Sequence, residues 1–203
     1  MLDIQVKGNT LVIGFKKGVN VSYDKLEVRV TSSNLTGVSV AGSGDFNFAN
    51  GLKSQDDLSL SVAGSGDIKG SNLSCNNMKV SIAGSGDINT ASIVCNSLKT
   101  SVAGSGDMNI KAMTASNVEA SIAGSGTIVL SGKSQDASYS IAGSGDIFAD
   151  GLEAKNVNTS ISGSGDIKCF ATDFLKVRTS GSGSVGYKGE PRLDIPKKGL
   201  YKL

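Results

Sequence analysis

The sequence predicts an all-β protein, a parallel β-helix wound from a single chain, and three observations lead to this fold class. The tetrapeptide Gly-Ser-Gly-Asp returns along the 203 residues at nearly constant spacing. Apolar and polar residues alternate with period two around each copy, which is typical of strands with one buried face. Trp is absent and 27 residues are Gly, so the core has to be built from layers of aliphatic side chains rather than from aromatic rings.

The tetrapeptide sets the length of the structural unit. Two copies are degenerate, with Thr127 and Ser184 in place of Asp. The steps between successive copies are 22, 20, 20, 20, 19, 20 and 18 residues. One unit per step predicts about eight coils of about 20 residues each, spanning residues 38–186. Counted by their first glycine, the copies begin at Gly42, Gly64, Gly84, Gly104, Gly124, Gly143, Gly163 and Gly181.

Two architectures accept such a period. In a parallel β-helix each period is one coil, and equivalent positions stack about 4.8 Å apart. In an antiparallel meander each period would be a hairpin with two comparable strands. The repeat instead indicates three short strands of unequal length, separated by about three corners. Every repeated residue also keeps the same place in the apolar–polar alternation from one unit to the next. This pattern favours the β-helix.

Within each unit the inward positions are predicted by the alternation. Two residues before the first glycine, seven copies have Val or Ile and the last has Thr179. Three residues before it, seven copies have Ser and the last has Arg178. Further inward positions follow the motif, as at Ile68, and recur at Leu73, Ile93, Met113 and Leu152. Next come four asparagines, which suit a tight turn with left-handed backbone, namely Asn76, Asn96, Asn117 and Asn156.

The Gly-Ser-Gly segment is predicted to be a sharp corner at which small residues let successive coils lie close together. Insertions should therefore fall at other corners. Lys53–Asp56 and Lys133–Asp136 are predicted to be polar loops of this kind, as the more economical alternative to a specific surface site. The corner glycines are Gly42, Gly44, Gly64, Gly66, Gly84, Gly86, Gly104, Gly106, Gly124, Gly126, Gly143, Gly145, Gly163 and Gly165.

The whole chain, residues 1–203, is predicted to be one domain whose ends are capped. Residues 1–37 should supply N-terminal capping strands, two of them joined at Gly8-Asn9 and a further one from Tyr23 to Val30. Residues 187–203, which include Pro191 and Pro196, should cover the last coil. Because both edges are then protected from strand pairing, a monomer is expected.

The conspicuous candidate for chemistry is a row of carboxylates, one per coil. Stacked carboxylates repel, so something must offset the repulsion. Calcium could do so with six to eight oxygen ligands. Alternatively, each Asp accepts hydrogen bonds from backbone N–H groups at its corner, and Thr127, which keeps an oxygen but no charge, fits this capping role better. The residues of this candidate ladder are Asp45, Asp67, Asp87, Asp107, Asp146 and Asp166.

Other cofactor and partner classes are excluded by composition. Cys75 and Cys95 lie one period apart and are read as stacked small core residues, with a disulfide between neighbouring coils as the alternative, and Cys169 is unpaired. There is no His and no Cys-x-x-Cys, so no zinc site and no cofactor is expected. The net charge of +2 is small and its positive excess lies at the chain ends, which argues against nucleic acid as a partner. No apolar stretch approaches the length of a membrane span.

The repeats also carry a family resemblance. The Val/Ile-Ala-Gly-Ser-Gly-Asp-Ile/Met units from Gly42 to Val185, the strand Leu11-Val12-Ile13 after Gly8-Asn9-Thr10, and Gly186-Tyr187-Lys188-Gly189-Glu190-Pro191 resemble the putative auto-transporter adhesin, head GIN domain family. The resemblance implies a right-handed β-helix, a bacterial source chiefly in Bacteroidetes, and an extracytoplasmic location. The protein would be secreted, periplasmic or an outer-surface lipoprotein, with a leader that this chain lacks. The family brings no catalytic residues.

Two classes of function remain open at this point. The first is a non-enzymatic envelope module that contacts a glycan, another envelope component or a host surface. The alternative is a polysaccharide-active β-helix enzyme of lyase or hydrolase type, which would need acid and base groups apart from the repeat. Asp56-Asp57 is the only adjacent acidic pair, and Arg178 and Arg192 lie near one end. Because an active site needs unlike groups at one spot, rows of like groups favour the binding module.

Overall fold

The computed structural model describes residues 2–16, 18, 22, 25–194 and 199–203. These residues contain no helix, and 71% of the chain lies in strands, which confirms the all-β prediction. With no helix among the described residues, none is present that could cross a membrane. The chain divides into two compact units, Met1–Ser33 and Asn34–Leu203.

The first unit contains the hairpin predicted from the sequence. Strand β1 (Leu2–Lys7) pairs antiparallel with β2 (Thr10–Phe15) across a turn in which Gly8 has a φ of 61°. The predicted strand from Tyr23 to Val30 is wrong for residues 25–30, which form no strand, while Tyr23 and Asp24 lie outside the described residues. Alternating apolar residues become a strand only when a neighbour completes the hydrogen-bond ladder, and residues 25–30 have no such neighbour among the described residues.

The second unit is a parallel β-solenoid of about eight turns. All of its strands belong to one sheet, and every strand pair within that sheet is parallel, so the β-helix is confirmed and the hairpin meander is excluded. The strands are β3 (Gly37–Gly42), β4 (Phe46–Phe48), β5 (Leu52–Lys53), β6 (Leu58–Gly64), β7 (Ile68–Ser74), β8 (Asn77–Gly84), β9 (Ile88–Val94), β10 (Ser97–Gly104), β11 (Met108–Gly124), β12 (Thr127–Gly143), β13 (Asp146–Gly163), β14 (Ile167–Gly181), β15 (Val185–Lys188), β16 (Arg192–Asp194) and β17 (Leu200–Lys202).

The register between coils is the one that the motif predicts. The first glycine of each motif is the direct partner of the first glycine in the next coil, from Gly42 and Gly64 through to Gly163 and Gly181. The serines three residues before these glycines also stack in one outward row. The coil that carries Thr127 keeps its place, because backbone pairing of the whole strand sets the register.

The core is a stack of aliphatic layers inside the coils. The position after the motif is fully buried from Ile68 onward, and the row that contains Tyr139 varies in size from coil to coil. Tyr139 lies between Ala120 and Thr159, so a large side chain is packed beside smaller ones, as a close-packed interior requires. The sequence pattern did not predict two buried rows. One lies six residues before each glycine: Leu58, Met78, Leu98, Val118, Ala137, Val157 and Leu175. The other lies two residues after the position that follows the motif: Phe48, Thr90, Ile110, Leu130, Ala149 and Cys169.

The strands are longer and fewer per coil than predicted. A corner that was expected to separate two strands is a bulge, such as the shift between Ile110 and Met113, which bends the strand without ending it. The asparagine corner was expected to need left-handed backbone, but no described residue other than glycine has a positive φ. Instead the Asn96 N–H donates to the Asn76 carbonyl at 2.8 Å, so the corner is held by bonds between coils.

The two predicted polar loops differ in the structure. Lys53 ends β5 and residues 54–57 form a loop, whereas Lys133–Asp136 lie inside β12 and pair with β11 and β13. The second prediction is wrong because a strand on the solvated side of the sheet can carry polar side chains when the strands on both sides provide its backbone hydrogen bonds. Asn117 and Asn156 share a row with Asp136, one residue out of step with the row of Asn76 and Asn96.

The described part of the C-terminal tail adds short strands to the last coils. Strand β16 pairs with β14, and β17 pairs with β15, so both extend the parallel sheet. Residues 195–198, including Pro196, lie outside the described residues. Capping by residues 1–37 and 187–203, the single-domain boundary and the monomeric state stay predictions.

Candidate functional site

The glycine corner depends on two different properties of glycine. The first glycine of each motif has a positive φ, 130° at Gly104, which side-chain-bearing residues rarely adopt. In five of the seven corners that are followed by another coil, the carbonyl of this glycine accepts two hydrogen bonds from that coil. The Ser105 and Gly106 N–H groups, for example, donate to the Gly84 oxygen at 2.9 and 3.1 Å.

The second glycine is required by the close approach of the preceding coil rather than by its φ. A Cβ on Gly106 would lie 2.2 Å from the Gly86 oxygen and 2.8 Å from Ile82 Cγ2. In the first coil the equivalent Gly44 has nothing within 4 Å of such a Cβ. The corner is therefore a place where backbones touch, and between Gly64 and Gly165 the serine is its one exposed residue.

The acidic row is a ladder of hydrogen bonds between coils. The Asp67 N–H donates to Asp45 Oδ1 at 3.0 Å, and the same bond recurs one coil later at Asp87. At Thr127 the ladder is interrupted, because a threonine supplies no carboxylate and the following N–H donates to a glycine carbonyl instead. The remaining carboxylates, Asp87, Asp107, Asp146 and Asp166, accept the N–H of Asp107, Thr127, Asp166 and Ser184 respectively.

This geometry gives the capping alternative a physical basis. Each ladder carboxylate directs an oxygen toward a backbone N–H of the following coil, a hydrogen bond that charge on the acceptor strengthens. The part of the chain that the structure describes contains no group of three or more His, Cys, Asp or Glu arranged to hold a metal. We therefore interpret the row as structural, and the expectation that it holds no calcium stays a prediction.

The three cysteines are free and buried, so the structure contains no disulfide between Cys75 and Cys95. Burial raises the pKa of the Cys95 and Cys169 thiols to about 12 and also raises the pKa of Cys75. At neutral pH these thiols are protonated, and a protonated thiol is a poor nucleophile and metal ligand. They act as small core residues.

The acidic pair and the arginines that the sequence offered as candidate catalytic groups do not converge. Asp57 Oδ1 accepts hydrogen bonds from the Asn77 backbone and side-chain nitrogens at 3.1 and 2.9 Å, so this carboxylate fastens one coil to the next. Arg178 pairs with Asp194 at 3.1 Å, several coils away from Asp57. The candidate acids and the candidate arginines thus lie at opposite ends of the solenoid.

Two shallow depressions lie on the surface of the solenoid. The larger, of about 390 Å³, has small residues including Cys95, Ala115 and Ala154 at its base and Lys133 and Glu153 at its edge. The smaller, of about 250 Å³, lies over the early coils near Lys79 and Lys99. No aromatic side chain is among the described residues that line either depression, which makes both of them poor platforms for a ring-shaped ligand.

Aromatic side chains collect instead on one outward face of the last coils, which we call the aromatic end face. In it, Phe148, Lys168, Gly186 and Tyr201 are consecutive partners across β13, β14, β15 and β17. The Lys168 Nζ lies 5.2 Å from the centre of the Phe148 ring. Atoms of the Tyr201 ring lie 2.8–2.9 Å from where a Gly186 Cβ would be, so this ring rests on the glycine backbone.

A second outward row, which contains Phe170, borders the first and belongs to the same face. Lys188 Nζ donates to Asp150 Oδ2 at 2.8 Å. This hydrogen bond, aided by charge, lowers the pKa of the Asp150 carboxyl. Lys202, beside Tyr201, pairs with Glu190. The aromatic end face is thus defined by Phe148, Asp150, Lys168, Phe170, Gly186, Lys188 and Tyr201.

The sequence pattern does not predict this face. Its residues fall outside the repeat motif, and Tyr201 reaches the others only through the short strand β17. The available signal was the spacing of 20 residues between Phe148 and Lys168, which predicts stacking in adjacent coils. That spacing alone does not indicate a shared site.

Comparison with solved structures supports the architecture. A putative lipid binding protein from Parabacteroides distasonis has a TM-score of 0.75 at 23% identity, covering 86% of this chain and 94% of that one. A putative adhesin from Parabacteroides merdae has a TM-score of 0.70 at 19% identity, covering 86% and 90%. A putative adhesin from Parabacteroides distasonis has a TM-score of 0.68 at 26% identity, covering 99% and 77%.

The sequence comparisons place the chain in a family. No functionally curated protein matches it. The model of the family described as putative auto-transporter adhesin, head GIN domain, matches residues 1–128 and 89–191, which together span most of the chain. The chain belongs to the putative auto-transporter adhesin, head GIN domain family.

Proposed function

We propose that this protein is a non-enzymatic binding module of the bacterial envelope, which contacts a glycan, another envelope component or a host surface. The observation that carries the proposal is the arrangement of the polar groups. Carboxylates and serines stand in rows along the coils, and the ladder carboxylates bond to backbone N–H groups of the next coil. Catalysis would need unlike groups that converge on one point.

The family and its solved relatives support an extracytoplasmic location, since adhesins act at the cell surface. We extend this to a secreted, periplasmic or outer-surface protein in Bacteroidetes, the group that the Parabacteroides relatives suggest. The solenoid supports a binding role physically. A rigid stack of coils presents equivalent side chains at a constant spacing, which suits several weak contacts with a repeating partner.

The test combines binding, turnover and location. The purified chain is applied to a glycan array and to immobilised host-matrix proteins, and the native protein is localised by cell fractionation. Binding without release of shortened product is the expected result, with the protein in the envelope or the medium. Product formation from any uronic acid polymer or neutral glycan would favour the polysaccharide-active enzyme instead, and a cytoplasmic location would contradict the envelope role.

A further inference from the structure

We propose that the aromatic end face binds oligosaccharides of pyranose sugars. The proposal rests on the binding function proposed above and assigns it a site and a ligand class. The face combines Phe148, Phe170 and Tyr201, which are all partly accessible, with charged groups set between the rings. Such a mixture of flat apolar surface and a few placed polar groups is the usual chemistry of a small-molecule site.

The rings supply the apolar part of the recognition. One face of a pyranose carries mainly C–H groups, and the electron-rich face of an aromatic ring attracts such groups while both surfaces leave water. Tyr201 is 42% exposed, although its ring is supported from beneath by Gly186. A ring that already packs against the backbone loses little conformational entropy when a sugar stacks on it.

The charged groups supply hydrogen bonds for sugar hydroxyls. Asp150 and Lys188 form an ion pair 2.8 Å apart on this face. The backbone of Lys168 lies between Phe148 and Gly186, and its Nζ lies 5.2 Å from the centre of the Phe148 ring. A carboxylate accepts and an ammonium donates, so the two together match a hydroxyl, which does both. Asp150 and Glu190 each pair with one of the nearby lysines, and this balance disfavours a phosphate backbone as the ligand.

The spacing indicates a ligand longer than one sugar. Phe148 belongs to β13, and the ring of Tyr201 rests on Gly186 in β15. Two strand spacings separate these positions, about 9.6 Å. That distance is too long for one pyranose ring to cover, so Phe148 and Tyr201 would contact different sugars of one chain.

The other surfaces of the solenoid do not offer this chemistry. The Ser rows present hydroxyls without an apolar platform, and the described residues around the two depressions include no ring. Phe174, another outward aromatic of the last coils, lies in a different row, under Arg192 at 5.2 Å. It therefore serves as a control that shares residue type and coil with the proposed site.

The experiment measures binding of the full chain to soluble polysaccharides by affinity gel electrophoresis and calorimetry. The probes are laminarin, xylan, polygalacturonate and chitin oligosaccharides, and melting temperatures show that each variant is folded. We expect at least one probe to bind. We expect Tyr201→Ala and Phe148→Ala to weaken that binding about tenfold or more. Phe174→Ala, outside the face, should stay within about threefold, whereas Tyr201→Phe, which keeps the ring, should lose less affinity than Tyr201→Ala.

The outcomes separate this site from the general binding function. Sugar binding that survives both alanine substitutions would refute the aromatic end face as the binding site, but it would remain consistent with the proposed envelope binding module. Binding only to host-matrix or envelope proteins would overturn the sugar ligand but not the module. Self-association of the wild-type chain that Tyr201→Ala abolishes, with no sugar bound, would assign the face to a second copy of this chain and refute the proposal.

Discussion

Substituting alanine for Gly106 isolates the close contact between coils from backbone strain, because this glycine has no positive φ. Its new Cβ would lie 2.2 Å from the Gly86 oxygen, so the two coils must separate locally. Overpacking of this kind costs about 1–3 kcal/mol. Weakening the Gly106 N–H bond to the Gly84 oxygen adds about 1 kcal/mol. We therefore expect Gly106→Ala to lower the free energy of unfolding by about 2–4 kcal/mol.

The repeat supplies matched controls for both the close contact between coils and the backbone strain. Gly44→Ala has open space and no positive φ, so its effect should stay within about 0.5 kcal/mol. Gly42→Ala meets open space at a φ of 100° and should cost about 1–2 kcal/mol from strain alone. Gly104→Ala combines the close contact with the backbone strain and should cost the most, about 2–5 kcal/mol. Ser105→Ala, which changes the exposed side chain between the glycines, should cost little.

The assay is urea unfolding followed by far-ultraviolet circular dichroism, with the midpoint and slope compared among variants. Because Gly42 and Gly44 lie in the first coil, Phe48→Ala shows whether damage in that coil is detectable. Phe48 is buried, and its removal should cost about 3–5 kcal/mol. If Gly106→Ala and Gly44→Ala unfold at the same urea concentration while Phe48→Ala does not, the inference that adjacent coils restrict the corner is refuted.

Three further predictions concern the ladder, the ion pair and the tail. Asp166→Ala should cost about 1–3 kcal/mol because the Ser184 N–H and Oγ both donate to its Oδ1. Asp166→Asn should cost less. Calcium should leave the melting temperature of the wild-type protein unchanged, and a rise would support calcium binding by the acidic row instead. The hydrogen bond from Lys188 lowers the pKa of Asp150 below its ordinary 3.8, so its stabilisation is complete above that pH and is lost as the pH falls through the lowered pKa. The melting-temperature difference between wild type and Asp150→Asn should thus be constant near neutral pH and shrink below 3.8, and a difference undiminished at about pH 2 would contradict this. Deletion of residues 187–203 should expose the last coil and cause association by light scattering, whereas a soluble monomer would show that the tail is not a cap.

The periodic part of the structure was predictable because each coil has the same neighbours. Stacking equivalent positions fixes register, inward rows and corners at once, and the glycine partners from Gly42 to Gly181 follow from the motif alone. The prediction failed where the secondary structure of a residue depends on the residues beside it in neighbouring coils. Lys133–Asp136 looks like a loop, but strands on both sides hold it in the sheet.

The candidate site was less predictable for a related reason. A row of identical residues is visible in the sequence as a repeat. The aromatic end face, in contrast, is assembled from different residue types that are separated by irregular distances along the chain. The contact between Tyr201 and Gly186 depends on β17 returning beside β15 after a segment that matches no repeat. Side-chain identity shows that these residues could bind a ligand, but only the fold shows that they are adjacent.

The corner carbonyls that receive two N–H groups from the following coil give the solenoid a property that a globular core lacks. Five of the seven corner carbonyls that face a following coil accept this pair of N–H groups, for instance those of Gly84 and Gly124. Duplication of one whole unit would therefore restore the same contacts above and below the insertion. Each such duplication adds about 4.8 Å of length. The number of coils can act as a molecular ruler, which evolution can lengthen or shorten in whole steps to set how far the last coils stand from the first.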